Sequence, residues 1–113
     1  MTEGKPERPF NQRCPMGRAA SVFGDPCTLM ILRDLFQNGP RRFQDFEGEA
    51  QGFSPNTLSR RLKSLLEHGF IAQEQYVPHP PRFRYVLTER GRTLGPVMKA
   101  LYAWGSAEID LDT

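Results

Sequence analysis

Two groups of side chains in this chain have types and spacings suited to chemistry. One is a pair of thiols, Cys14 and Cys27, the only cysteines in 113 residues. The other is a set of cations in "FSPNTLSRRLKSLLEHGFI", residues 53–71, which holds Arg60, Arg61 and Lys63 and only one acid, Glu67. Thiols can coordinate metals or react with oxidants. Clustered cations can neutralise a polyanion. A metal site does not fit: there is no C-x-x-C, and His68 and His79 stand alone. An enzyme does not fit either. The chain has no Gly-rich phosphate loop, no H-E-x-x-H and no G-x-S-x-G, and its carboxylates are scattered. We therefore expect no catalytic residue, no metal and no cofactor. His68 reads more simply as a partner for the carbonyl end of a helix.

The charge is unevenly placed. Residues 1–53 hold seven basic and seven acidic side chains, a balance of zero. Residues 54–92 hold seven basic against three acidic, a balance of +4, and residues 93–113 hold one against three, a balance of −2. The middle third is thus where a polyanionic partner would be met. Charge alone fits a basic patch with no role equally well.

These side chains need elements to position them. A length of 113 residues suggests one domain, and 38% apolar with 25% charged residues is a globular balance. Residues 1–13, "MTEGKPERPFNQR", form a polar arm with no apolar h-region, so no secretory signal is expected. No apolar run approaches the ~20 residues that span a bilayer. A cytoplasmic protein with no membrane partner is expected, and in that compartment the cysteines are thiols rather than a structural disulfide.

Residues 15–23 suit a short helix. Asp25 and Pro26 can start another, which carries Leu29, Ile31, Leu32, Leu35 and Phe36 and stops at "NGP", 38–40. Phe43 and Phe46 mark one face of a short third helix. In the quoted stretch Ser54 can cap, Pro55 suits the first turn and Gly69 can end a helix. Leu58, Leu62, Leu65 and Leu66 form its apolar stripe, so Asn56, Arg60 and Lys63 point away from the core, with Thr57 and Ser59 on the flanks. Residues 70–77 and 82–87 read as strands, and "PHPP" between them makes a stiff hairpin tip. Thr88 can cap a last helix that Gly95–Pro96 should kink or split. Helix, helix, turn, capped helix, hairpin, helix is the order of a winged helix-turn-helix. The fold class expected is α+β and mostly helical, with a two-stranded β-hairpin wing and terminal dimerisation helices, in one domain over 14–113.

The sequence also resembles the HxlR-type transcriptional regulators, a bacterial winged-helix family related to the MarR group. The matching stretches are "CP" (14–15), "TLMILRDLF" (28–36), "GPRRFQDF" (39–46), "SPNTLSRRLKSLLEHGFI" (54–71), "RFRYVLTERGRTLGPVM" (82–98) and "WG" (104–105). One departure stands out: Asp25-Pro26-Cys27 replaces the Gly-Lys-Trp stretch usual before "TL". The resemblance implies sequence-specific binding to a double-stranded DNA operator; repression is the expected sign because it is the commoner outcome for a small regulator with no activation domain.

A major groove about 12 Å wide admits one helix. Asn56, Ser59 and Arg60 are the candidates for base readout and Lys63 for the backbone, with Ser54 and Thr57 beside them. Arg61, off to one side, would meet phosphate or a neighbouring carboxylate. Arg41 and Arg42, before the third helix, are candidates for phosphate, and the wing could bring His79, Arg82 and Arg84 to the minor groove, Arg82 in preference to Arg84. The resemblance implies a homodimer, and the surplus apolar surface of Leu94, Val97, Met98, Leu101, Tyr102 and Trp104 agrees, with Met16, Ala20 and Phe23 as partners. Cys14 matches a cysteine that senses oxidants or electrophiles in some family members, and Arg13 and Arg18 lie near it. Cys27 could be activated by a helix dipole or simply pack in the core. Two other readings share the fold. One is a regulator gated by a small aromatic molecule near Phe23, Phe36 or Tyr102. The other is a winged-helix protein-interaction module, which would not need Arg and Lys on the outward helix face.

Overall fold

The computed structural model describes residues 13–49 and 52–112. The arm expected over 1–13 lies outside the described residues, apart from Arg13. The elements run α1 (Pro15–Phe23), α2 (Pro26–Asn38), α3 (Phe43–Glu49), α4 (Pro55–Glu67), β1 (Ile71–Val77), β2 (Arg82–Leu87), α5 (Glu89–Arg92) and α6 (Gly95–Asp112). This is the expected winged helix-turn-helix order.

The helix starts obey local chemistry. The Asp25 carboxylate accepts from the Thr28 amide at 2.8 Å, the Ser54 hydroxyl from Thr57 at 3.1 Å and the Thr88 hydroxyl from Gly91 at 3.0 Å. Each satisfies an amide that the first turn leaves without a helical partner. Pro26 and Pro55 occupy first-turn positions, where a missing N–H costs nothing. α4 ends as expected: Gly69 takes φ 78°, and the His68 ring nitrogen Nδ1 lies 2.8 Å from the Ser64 carbonyl.

The core joins three helices and the root of the wing. Ile31, Leu32 and Leu35 of α2 meet Phe46 of α3, Leu58, Leu62 and Leu65 of α4, and Phe70 and Ile71. The leucine stripe of α4 therefore buries one side of that helix and leaves the other bare.

The wing is an antiparallel pair running from Ile71↔Leu87 to Val77↔Arg82, with an irregularity between Gln75 and Val77. Residues 78–81 form its turn. A feature the sequence did not suggest is a single bridge from outside the hairpin. Arg41 donates to the Tyr85 carbonyl at 3.0 Å and accepts from its amide at 2.7 Å.

Gly95–Pro96 splits the last helical segment rather than kinking it: α5 ends at Arg92, and Pro96 sits in the first turn of α6. Proline cannot donate to the preceding turn, so a new helix begins there. Gly91 is fixed by close approach, since a Cβ at that position would lie 2.1 Å from the Phe70 carbonyl oxygen. No helix among the described residues is long and apolar enough to cross a membrane.

Candidate nucleic-acid interface

Asn56, Ser59, Arg60 and Lys63 of α4 are exposed, while Thr57 and Arg61 are half-buried. Ser54 and Thr57 are already engaged with each other: the Ser54 hydroxyl donates to Thr57 Oγ1 at 3.1 Å while capping the helix. The outward face thus carries one amide, one hydroxyl and two cations, with the exposed acid Glu67 at its C-terminal end. That set can read adenine through Asn, guanine through Arg and phosphate through Lys.

The cations near this face fall into two groups. Arg41 lies 3.1 Å from Asp34, Arg42 meets Asp45 at 3.1 Å, Arg61 meets Asp25 at 3.2 Å and Arg84 meets Glu74 at 2.6 Å. Arg42 grips Asp45 with two nitrogens. Its charge holds the Asp45 carboxyl below the ordinary carboxylate range, first through the side-chain hydrogen bond and then through a backbone one. Arg84 also lies over the Tyr76 ring, 5.5 Å from its centre. Arg60, Lys63 and Arg82 have no carboxylate partner among the described residues.

Of the wing candidates, His79 and Arg82 are exposed and Arg84 is half-buried. Arg61 makes the carboxylate contact that was one of its two expected alternatives. Its partner Asp25 belongs to the Asp25-Pro26-Cys27 departure, so the residue that caps α2 also ties α2 to α4. Asp34 was missed by sequence reasoning. The signal was present: it falls on the Ile31–Leu35 face of α2, and a carboxylate on an apolar face needs a partner.

The two thiols differ. Cys14 is exposed, and its sulfur accepts from the Gly17 amide at 3.4 Å at the start of α1. Cys27 is buried in the core. Its thiol is pushed up in pKa by burial and then by Asp25, with Arg61 opposing. That is the opposite of helix-dipole activation, and Cys27 packs as a small apolar side chain.

The dimerisation candidates also divide. Phe23, Leu94 and Met98 pack against the chain's own core, and Ala20 is half-buried. Met16, Val97, Leu101, Tyr102 and Trp104 are exposed, Trp104 at 68% and Met16 at 77%. Every side chain from Lys99 to Trp104 is exposed.

A family model described as HxlR-like helix-turn-helix matches residues 22–113. The chain belongs to that family. Among its relatives, an HTH-type transcriptional regulator of Synechocystis is 37% identical over 100 residues, covering 88% of this chain and 73% of that protein. Among solved structures, the redox regulator HypR in its oxidised form superposes with a TM-score of 0.76 at 29% identity, over 83% of this chain and 96% of that one. Diamide-treated YodB from Bacillus subtilis gives 0.67 at 28% identity, over 86% and 96%. This HxlR-like chain is a DNA-binding transcriptional regulator of the winged-helix kind, and α4 is the second helix of its helix-turn-helix.

Proposed function

We propose that two copies of the chain bind a palindrome-like operator and repress the gene beside it, with Cys14 as the point where oxidants or electrophiles act. The observation that carries the DNA reading is the bare face of α4. Asn56, Ser59, Arg60 and Lys63 all face solvent, and neither cation is spent on a carboxylate among the described residues. Asn56, Ser59 and Arg60 take the base edges, and Lys63 a phosphate. Arg82 and His79 reach the flanking groove from the wing. Arg41, Arg42 and Arg84 have carboxylates to leave before they could serve phosphate, so they rank below these.

One α4 reads one half-site, and a two-fold dimer reads two. The exposed apolar side chains of α6 support that arrangement, because Val97, Leu101, Tyr102 and Trp104 lie bare in one stretch of helix. An occupied operator overlapping a promoter excludes transcription, which gives repression. The exposure of Cys14 and the likeness to the redox regulator HypR support the oxidant input.

The test is a gel shift with reduced protein, using the duplex upstream of its own gene and a shuffled duplex, at two salt concentrations. Preference for the native duplex of about a hundredfold or more at the higher salt is the expected result. Diamide added to the same lanes should release wild-type protein but not Cys14→Ser. Equal binding to both duplexes, lost together with salt, would leave only a basic patch.

A further inference from the structure

Asp34 is the one buried charged side chain among the described residues, 0% exposed on the face of α2 that carries Ile31 and Leu35. Asn38 donates to its Oδ1 at 2.6 Å, and the Arg41 Nε lies 3.1 Å from the same oxygen. The Arg41 contact has ion-pair distance without hydrogen-bond alignment. A buried pair of this kind is a weak source of stability, because desolvation offsets the Coulomb attraction. It does fix a direction. Arg41 is also the residue whose backbone exchanges two hydrogen bonds with Tyr85 in β2. The Tyr85 ring then packs on Phe46 of α3, with ring centres 5.9 Å apart. A continuous chain of contacts thus runs from the centre of α2, through Asp34 and Arg41, to the middle of the wing.

We propose that Asp34 is a positioning residue for the wing. An isolated two-stranded hairpin is marginal in water and needs a brace to hold one orientation. Arg82 lies three residues beyond Tyr85, on the order of 10 Å along the strand, so a tilt at Tyr85 is carried to the tip. Asp34 holds Arg41, Arg41 holds Tyr85, and Tyr85 sets where Arg82 meets the duplex. The DNA consequence rests on the wing-contact reading above; the mechanical claim does not.

The test uses Asp34→Asn, which keeps the shape and removes the charge, with two readouts. The first is amide hydrogen exchange. The Tyr85 amide should exchange faster by about tenfold more than the Leu62 amide of α4, as local opening requires. Equal acceleration at both sites would mean only lost global stability, and no acceleration at Tyr85 would mean no brace; either overturns the proposal. The second is a double-mutant cycle with Arg82→Ala. In the native background this change should weaken operator binding about fivefold, and in Asp34→Asn by less than about twofold, as expected for coupled residues. Equal losses in both backgrounds would overturn the link to DNA. An inert Arg82→Ala in the native background would instead refute the wing contact, leaving Asp34 to be judged by the Tyr85 amide. If Asp34→Asn does not fold, Arg41→Lys keeps the charge, alters the contact and is read in the same two ways.

Discussion

The outward face of α4 and the region in and beside the wing are built from the same residue types and use them in opposite ways. On α4, Arg60 and Lys63 face solvent with no carboxylate partner among the described residues. Beside and within the wing, Arg41, Arg42 and Arg84 each meet a carboxylate, at 3.1, 3.1 and 2.6 Å. A cation held by an acid ties its surroundings together and adds no net charge at that place. A cation left bare contributes its full charge to the surface potential. The excess of positive charge in the middle of the chain therefore does not measure the DNA-binding surface. Pairing decides which cations remain to meet phosphate and base.

The sharpest way to break this comparison is Arg60→Ala. With no carboxylate partner for Arg60 among the described residues, its loss should leave thermal unfolding unchanged, within ~0.5 kcal/mol. Operator affinity should fall by about 1–3 kcal/mol, with relaxed preference at one base position. A melting point that drops while affinity holds would place Arg60 among the structural cations instead. Lys63→Ala should do less. It should weaken native and shuffled duplexes alike and reduce the slope of log affinity against log salt by about 0.9, the value of one phosphate contact. An unchanged slope would remove Lys63 from the interface.

The parts that were legible in the sequence are those that local chemistry dictates. Asp25, Ser54 and Thr88 cap because their short acceptors reach an amide in the next turn. Leu58, Leu62 and Leu65 are buried because their spacing puts them on one side of α4. That alone fixes which side of α4 is bare, so the candidate DNA face could be read in advance. Arg41 and Arg42 could not be placed the same way. Their role depends on Asp34, Asp45 and Tyr85, and Tyr85 lies 44 positions beyond Arg41 in the chain. Nothing in the spacing of a charge pair says whether it faces a phosphate or a carboxylate. The same holds for Gly91, whose missing side chain is explained only by the Phe70 carbonyl lying against it.

Arg61 tests the comparison from its other side, on the same helix as Arg60. It meets Asp25 at 3.2 Å with both side chains about one-third exposed, so the pair links α4 to the start of α2 through a solvent-screened contact. Arg61→Ala should lower stability by no more than ~1 kcal/mol. It should change operator affinity less than Arg60→Ala does. It should also leave Asp25 capping α2, since that bond uses the carboxylate's other oxygen. A loss of affinity equal to that of Arg60→Ala, with no change in melting, would mean that Arg61 leaves Asp25 to join the DNA face.

The smallest effect is a pH dependence at the start of α3. Asp45 has its carboxyl lowered by Arg42, and Arg42 is held charged by Asp45 and Tyr76. A group whose folded pKa is depressed adds stability above its unfolded value and loses it as pH falls through the folded one. The contribution should therefore be complete at neutral pH and fade from about pH 5 downwards, as protonation removes the carboxylate charge and weakens the two-oxygen grip on the guanidinium. Urea unfolding across this range should show wild type and Asp45→Asn converging in acid, with wild type the more stable above it. Because this pair is solvent-screened, the gap should be small, and DNA binding at neutral pH should shift far less than for Arg60→Ala. A gap that persists unchanged in acid would mean that Asp45 acts through shape and its backbone bond to Arg42 rather than through charge.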